Sequence, residues 1–220
     1  MDSEARNVPP VAWQACGPTA AAPTSLDRLL ALARAIDARD PNTAGHSEQV
    51  ALYVAALAAT LNLDAATSSA LHTAALAHDI GMVAVPDWVL AKPAPLAEEE
   101  LQLIRRHPVC GAEMLQAVGP FALEAAFVRH HHERWDGSGY PDGLVGQQIP
   151  RGARIIQIAD CMDAMLMRRA YKAAYPIQRM LDELVRCAGH QFDPQIAAAA
   201  VRWAHLNEHK LTCRSDDSSA

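Results

Sequence analysis

Apolar residues along this chain come in Ala- and Leu-rich runs, broken by proline, glycine and cap-type polar residues. VALYVAALAATL (50–61) and ALHTAALAH (70–78) are two such runs. Ala and Leu lose little freedom in a helix, so the runs predict helices. Ser25 or Thr24 can cap a first helix through LDRLLALARAIDARD (26–40), which Pro41 ends. A second opens at His46-Ser47-Glu48 and reaches about Leu61. Asp64 is an N-cap for a third, which reaches His78-Asp79 and stops near Gly81. VAVPDWVLAKPAPL (83–96) reads as a proline-punctuated connection. Ala97 to about His107 is a further helix, and Pro108 sits in the first turn of the next, which continues through Gly111 to Val118. Pro120 starts another, expected to carry His130, His131 and His132.

Residues 137–152 break the pattern with five glycines and two prolines. Loops this long in a compact domain tend to be functional or disordered. Trp135, Tyr140 and Ile149 supply packing anchors, which favours an ordered loop. Helix resumes near Ala153 and runs to about Met167, followed by two more at roughly 177–188 and 194–208. Blocks rich in Val, Ile, Thr and Tyr are almost absent. The predicted fold class is all-α, a bundle of about eight to nine helices with a long ordered loop. Residues 1–24 read as a flexible tail, 25–208 as one helical domain and 209–220 as a disordered C-terminal tail.

Half of the 220 residues are hydrophobic and only 5% aromatic, so the core must be built from aliphatic side chains. The net charge of −6 argues against a nucleic-acid polymer as partner. Between Arg129 and Lys172, however, seven Arg or Lys face five acids, a local balance of +2. Such a stretch suits a small phosphorylated ligand or is an ordinary mixed surface. The five cysteines are odd in number and form no CxxC pair, which favours free thiols in a reducing compartment. No apolar stretch of 18 residues and no signal pattern is present, so a cytoplasmic protein without a membrane partner is expected.

Chemistry concentrates in His46, His78, Asp79, His107, the run His130-His131-His132, and Asp160. These are ligand types that borderline divalent metals prefer. Neighbours on a helix diverge by about 100°, so adjacent pairs such as His78-Asp79 and His131-His132 favour a dinuclear site over a single zinc. Each residue also has a bland reading. His46 could cap a helix, His107 could end one, His132 could be a solvated loop residue, and His130 is expected to face away. Asp160 lies in the apolar run RIIQIADCMDAM, where a lone acid is costly without a partner. Asp163, one turn on, is either a partner behind a ligand or part of a helix salt bridge.

Taken together, RDPNTAGHSEQV (39–50), HDIG (78–81), VPDWVLAKPAPL (85–96), RRHPVCGAEML (105–115), HHERWDGSGYPDGLVGQQIP (131–150), ARIIQIADCMDAM (153–165) and AGHQFDP (188–194) resemble the HD-GYP family in order and spacing. These are HD-superfamily phosphodiesterases that hydrolyse the bacterial second messenger cyclic di-GMP. The similarity spans roughly residues 25–205. It implies two divalent transition metals, with iron or manganese favoured over zinc. His46, His78, Asp79 and Asp160 would bind one; Asp79 would bridge to the other, held by His107, His131 and His132. Gly139-Tyr140-Pro141 matches the signature that shapes the site rim, with Tyr140 as a substrate contact. Arg169 and Lys172 match basic residues that meet substrate phosphates. Asp79 and Asp163 are the candidate catalytic acids, Asp163 as a group that helps move a proton. Cyclic di-GMP or a related cyclic dinucleotide is the implied ligand, and the product a linear dinucleotide or GMP.

The chain departs from the family pattern at three places. Asn42 stands where three-metal members carry Glu, which favours two metals. Met82 stands at the usual lysine of HDIGK; losing a charged hydrogen bond costs on the order of 1.5–3 kcal/mol, roughly ten- to a hundredfold in rate. Leu166, Met167 and Ala170 replace the usual Thr-Ser and proline before the basic pair. A competing reading is therefore a catalytically weak or inactive module that binds a cyclic dinucleotide or a diguanylate cyclase partner.

Overall fold

The computed structural model describes residues 22–39, 44–167, 174–209 and 211. Among them are ten α-helical segments and no strand: α1 Ser25–Asp37, α2 His46–Thr60, α3 Ala65–Ala77, α4 Asp87–Leu90, α5 Glu98–Arg105, α6 His107–Val118, α7 Ala122–Arg129, α8 Arg151–Leu166, α9 Ile177–Arg186 and α10 Pro194–Leu206. Nine have eight residues or more, as the sequence predicts; α4 is a single turn inside the expected connection.

Caps fix where several helices begin. Thr24 caps α1, its Oγ1 accepting from Asp27 N at 3.1 Å while Asp27 Oδ2 accepts from Thr24 N at 2.8 Å. Asp64 caps α3 through Thr67 N at 2.9 Å, and Asp193 caps α10 through Gln195 N at 2.8 Å. The core is aliphatic. Ile155, Ile156, Ile158, Ala159 and Met162 of α8 are fully buried, and α8 packs against α2, α7, α9 and α10. Alanines at 51, 58, 70, 74, 75 and 77 are buried where α2 and α3 pack together.

Two boundaries differ from expectation. Helix α7 stops at Arg129, so His130 caps it and His131 and His132 lie in the following turn. The physical reason is the imidazoles themselves: His130 Nδ1 lies 2.8 Å from Ala126 O and His131 Nδ1 2.6 Å from Val128 O, taking carbonyls that a terminating helix leaves without partners. Leu211 is buried against the core, so packed chain extends beyond residue 208. The expected tail over residues 1–21 and 212–220 lies outside the described residues, as do Asn42, Arg169, Ala170 and Lys172. No helix of the described residues is long and apolar enough to cross a membrane.

Candidate metal centre

Three helix ends deliver histidines to one place. His78 follows α3, His107 follows α5, and His131 follows α7. Each ring uses Nδ1 in the same way, against the carbonyl three residues back: Ala75 O at 2.8 Å, Ile104 O at 2.8 Å and Val128 O at 2.6 Å. A carbonyl can only accept, so each Nδ1 carries the proton and donates. In the neutral ring Nε2 is then a bare lone pair. The C-termini of α3 and α7 add their negative dipole ends beside His78 and His131, whereas His107 is also the first residue of α6.

These nitrogens gather, and although burial opposes it the Asp79 carboxylate holds His107 above the ordinary imidazole range, so a cation bound there would take the place of a proton. His107 Nε2 lies 3.3 Å from His131 Nε2, and His78 Nε2 is buried without a hydrogen-bond partner. Two ring nitrogens facing one another and an unpartnered buried nitrogen are unfavourable by themselves, and a cation in each of the two ligand groups would satisfy them. Asp79, His107, His131 and His132 offer ligand atoms within 4.8 Å of one another; His46, His78 and Asp79 form a second such group. Asp79 belongs to both. Its Oδ2 faces His78 Nε2 at 3.5 Å, while Oδ1 faces His107 Nε2 at 3.2 Å and His131 Nε2 at 3.8 Å. Asp160 Oδ1 stands 3.3 Å from His46 Nε2. The donor set of imidazole and carboxylate suits a divalent transition metal.

Electrostatics fit the same use. Burial holds His131 well below the ordinary imidazole range and pushes His132 down to about 4, so both are neutral. Burial opposes charge on Asp79 and Asp160, but His78 and His107 around the first, and His46 beside the second, keep both carboxyls ionised. Burial also disfavours a charged His46, yet the hydrogen bonds its ring donates to Asp160 and Asp163 outweigh it and lift the ring to about 11. A cation entering beside His46 therefore displaces a proton.

His46 is placed at the start of α2 by groups the sequence hides. Gly45 precedes it with φ of 78°, in the left-handed region that glycine adopts freely. Asp37 is buried and accepts from Ser47 N at 2.9 Å and Ser47 Oγ at 3.1 Å. Nothing in the run LARAID marks Asp37 as different from any other helix-end acid. Asp163 stands behind His46, with Oδ2 2.7 Å from Nδ1 and 3% exposure. His130 faces away, as expected, towards Asp142 at 3.0 Å.

The long loop abuts this cluster. Tyr140 stacks on His132 with ring centroids 5.0 Å apart and planes 26° apart, and the Arg105 guanidinium lies 5.9 Å from the other ring partner's centroid, that of Tyr140. Burial, with the neighbouring Asp79 charge, pushes the Tyr140 phenol up to about 12. A Cβ at Gly139 would stand 2.3 Å from Arg134 N and 2.6 Å from His132 O, so only glycine fits. The loop is also tied outward, Trp135 N donating to Gln191 O at 3.1 Å and Asp136 N to His190 O at 2.8 Å. The buried Glu133, which the sequence reading passed over, accepts from the loop's Asp142 N and Leu144 N.

Comparison with known proteins agrees with this arrangement. The profile of the HD domain family matches residues 31–196. The chain is 40% identical over 178 residues to the cyclic di-GMP phosphodiesterase response regulator RpfG of Xanthomonas campestris, covering 80% of this chain and 47% of that protein. It is 36% identical over 175 residues to 3'3'-cGAMP-specific phosphodiesterase 2 of Vibrio cholerae, covering 79% and 34%. The chain thus spans less than half the length of these curated relatives. In fold it is similar to the crystal structure of a cyclic GMP-AMP specific phosphodiesterase of V. cholerae, with a TM-score of 0.65 and 18% identity over 88% of this chain and 52% of that one. With its HD pair at the end of α3 and its Gly-Tyr-Pro loop packed on the histidine cluster, the chain belongs to the HD domain family, in the HD-GYP branch.

Proposed function

We propose that this chain is a metal-dependent phosphodiesterase that hydrolyses a cyclic dinucleotide, with cyclic di-GMP as the leading substrate. The observation that carries the reading is the orientation of His78, His107 and His131, whose Nδ1 atoms are all engaged by backbone carbonyls so that Nε2 faces the cluster. The division of Asp79's oxygens between two ligand groups supports two ions rather than one. His46, His78, Asp79 and Asp160 would hold one ion; Asp79, His107, His131 and His132 the other. Iron or manganese suits this imidazole-rich set, in keeping with the family resemblance. Divalent ions held there supply charge for the phosphate oxygens and acidity for the attacking water.

The chain's own residues do the rest. Asp79 fixes the spacing of the two halves. Asp163, buried behind His46, acts as a positioning residue that holds the His46 ring by Nδ1; this is a narrower part than proton transfer to substrate. Arg169 and Lys172 are proposed to hold phosphate oxygens. The relatives named for cyclic di-GMP and for 3'3'-cGAMP leave both as substrates to assay.

Met82 supports a second reading, a binding module with little turnover. Its side chain packs half-buried against the core in the turn after Asp79, where its N donates to Asp79 O at 2.9 Å. A lysine there could lay its stem on the same apolar surface and carry its ammonium to the rim. Met82→Lys is expected to raise kcat on cyclic di-GMP up to about tenfold at equal manganese loading, within the 1.5–3 kcal/mol scale of a charged hydrogen bond. The assay compares the two proteins with cyclic di-GMP and 3'3'-cGAMP. Binding without turnover by both proteins establishes the second reading.

A further inference from the structure

Four of the five ligand-type histidines in the cluster's neighbourhood are oriented by a hydrogen bond at Nδ1: His78, His107 and His131 by carbonyls, His46 by Asp163. His132 is the exception. Its ring makes no hydrogen bond to another described residue and lies instead against Tyr140. The rings of His131 and His107 also lie 4.1 and 5.0 Å from it, centroid to centroid; among the described residues, the ring contact from outside the histidine cluster is that with Tyr140.

Glu133 anchors the loop that carries Tyr140. This side chain is 1% exposed, and its two oxygens accept from Asp142 N at 2.7 Å and Leu144 N at 3.1 Å. Asp142 is held a second time, because its carboxylate accepts from Arg129 Nε at 2.8 Å and Nη2 at 2.9 Å. At the near end of the loop Tyr140 N donates to His132 O at 3.3 Å. Tyr140 is thus strapped between His132 and the clasp at 142–144. A buried carboxylate is costly unless its lone pairs are satisfied, and here the two oxygens take one backbone amide each. A glutamine would offer one acceptor and turn an N–H donor towards the other amide.

We propose that Glu133 is a positioning residue of the metal centre: its carboxylate closes the Gly-Tyr-Pro loop, which lays Tyr140 on His132 and aims the His132 ring at its cation. This rests on the metal-site reading above for His132 alone, and the orienting step itself needs no metal.

The test uses the full chain with Glu133→Gln, Tyr140→Leu and Tyr140→Phe, each checked for unchanged helicity by circular dichroism. Hydrogen exchange in metal-free protein reads the clasp. The amides of Asp142 and Leu144 should exchange at least about tenfold faster in Glu133→Gln, while those of α8 keep their protection. Histidine ring NMR in the same metal-free samples reads the orientation. The His132 signals should move in Glu133→Gln and Tyr140→Leu and stay in Tyr140→Phe, which keeps the stacked ring. Manganese titration reads the consequence: the first two variants should weaken an ion by roughly 10–100-fold, the range for groups that orient a metal ligand, and Tyr140→Phe should not. Unchanged His132 signals in Glu133→Gln, or protected amides at 142 and 144, overturn the proposal. Should the unsubstituted protein take up fewer than two manganese ions, the two-metal reading fails, and the metal-free measurements still decide for or against the clasp.

Discussion

Replacing Asp79 by Asn is expected to abolish hydrolysis of cyclic di-GMP, by at least about a thousandfold, or about 4 kcal/mol of barrier. The amide keeps the shape of the carboxylate and removes its charge. Among the described residues, Asp79 is the one whose oxygens face both ligand groups, His78 on one side and His107 and His131 on the other. A neutral group there leaves the imidazoles without the anion that balances two divalent cations, so both ions should be lost and not one. Elemental analysis after dialysis, beside a turnover assay on the same sample, checks this. Full metal content with full activity in Asp79→Asn would remove Asp79 from the centre. Loss of one ion with the other retained would assign it to a single metal.

The second large effect is on the fold that holds the centre. A Cβ on Gly81 would stand 2.0 Å from His107 O, 2.7 Å from Gly111 N and 2.8 Å from His107 C. All three are backbone atoms, so no side chain can swing away. The turn after α3 and the start of α6 would have to part, against overpacking costs of typically 1–3 kcal/mol for added methyl groups that neighbours can partly accommodate. Gly81→Ala is therefore expected to cost about 3 kcal/mol or more, lowering Tm by roughly 6–12 °C at 2–4 °C per kcal/mol. Because the strained contact is the backbone of His107, manganese affinity should fall as well. A thermal melt and a manganese titration check the two halves; a variant that melts within a degree or two of the parent contradicts the close packing.

Much of this was legible in the chain, for identifiable reasons. Ala- and Leu-rich runs bounded by Thr24, Asp64 and Asp193 mark helices because capping chemistry is local. The ligand types carried the same message, and the structure gathers His46, His78, Asp79, His107, His131, His132 and Asp160. The sequence misled where side chains turn back on the backbone or reach across the fold. A helix running on through His130–His132 has no local signal against it, yet His130 and His131 end it by capturing carbonyls of their own last turn. Neither ligand pair diverges along a helix as expected: His131 and His132 diverge in a turn, and His78 and Asp79 at a helix end. Asp37 and Glu133 went unnoticed because their partners lie ten or so residues away, and an acid beside a helix end carries no mark of burial. Tyr140 was expected to offer a face to substrate, and one face of its ring is against His132.

The most direct test of the central claim is a titration of metal-free protein with manganese, following hydrolysis of cyclic di-GMP and 3'3'-cGAMP at each step. Turnover of at least one of them should be absent without metal and should reach its plateau only when about two equivalents are bound. Turnover in the absence of any divalent metal, or no turnover of either dinucleotide with both equivalents bound, would contradict the account.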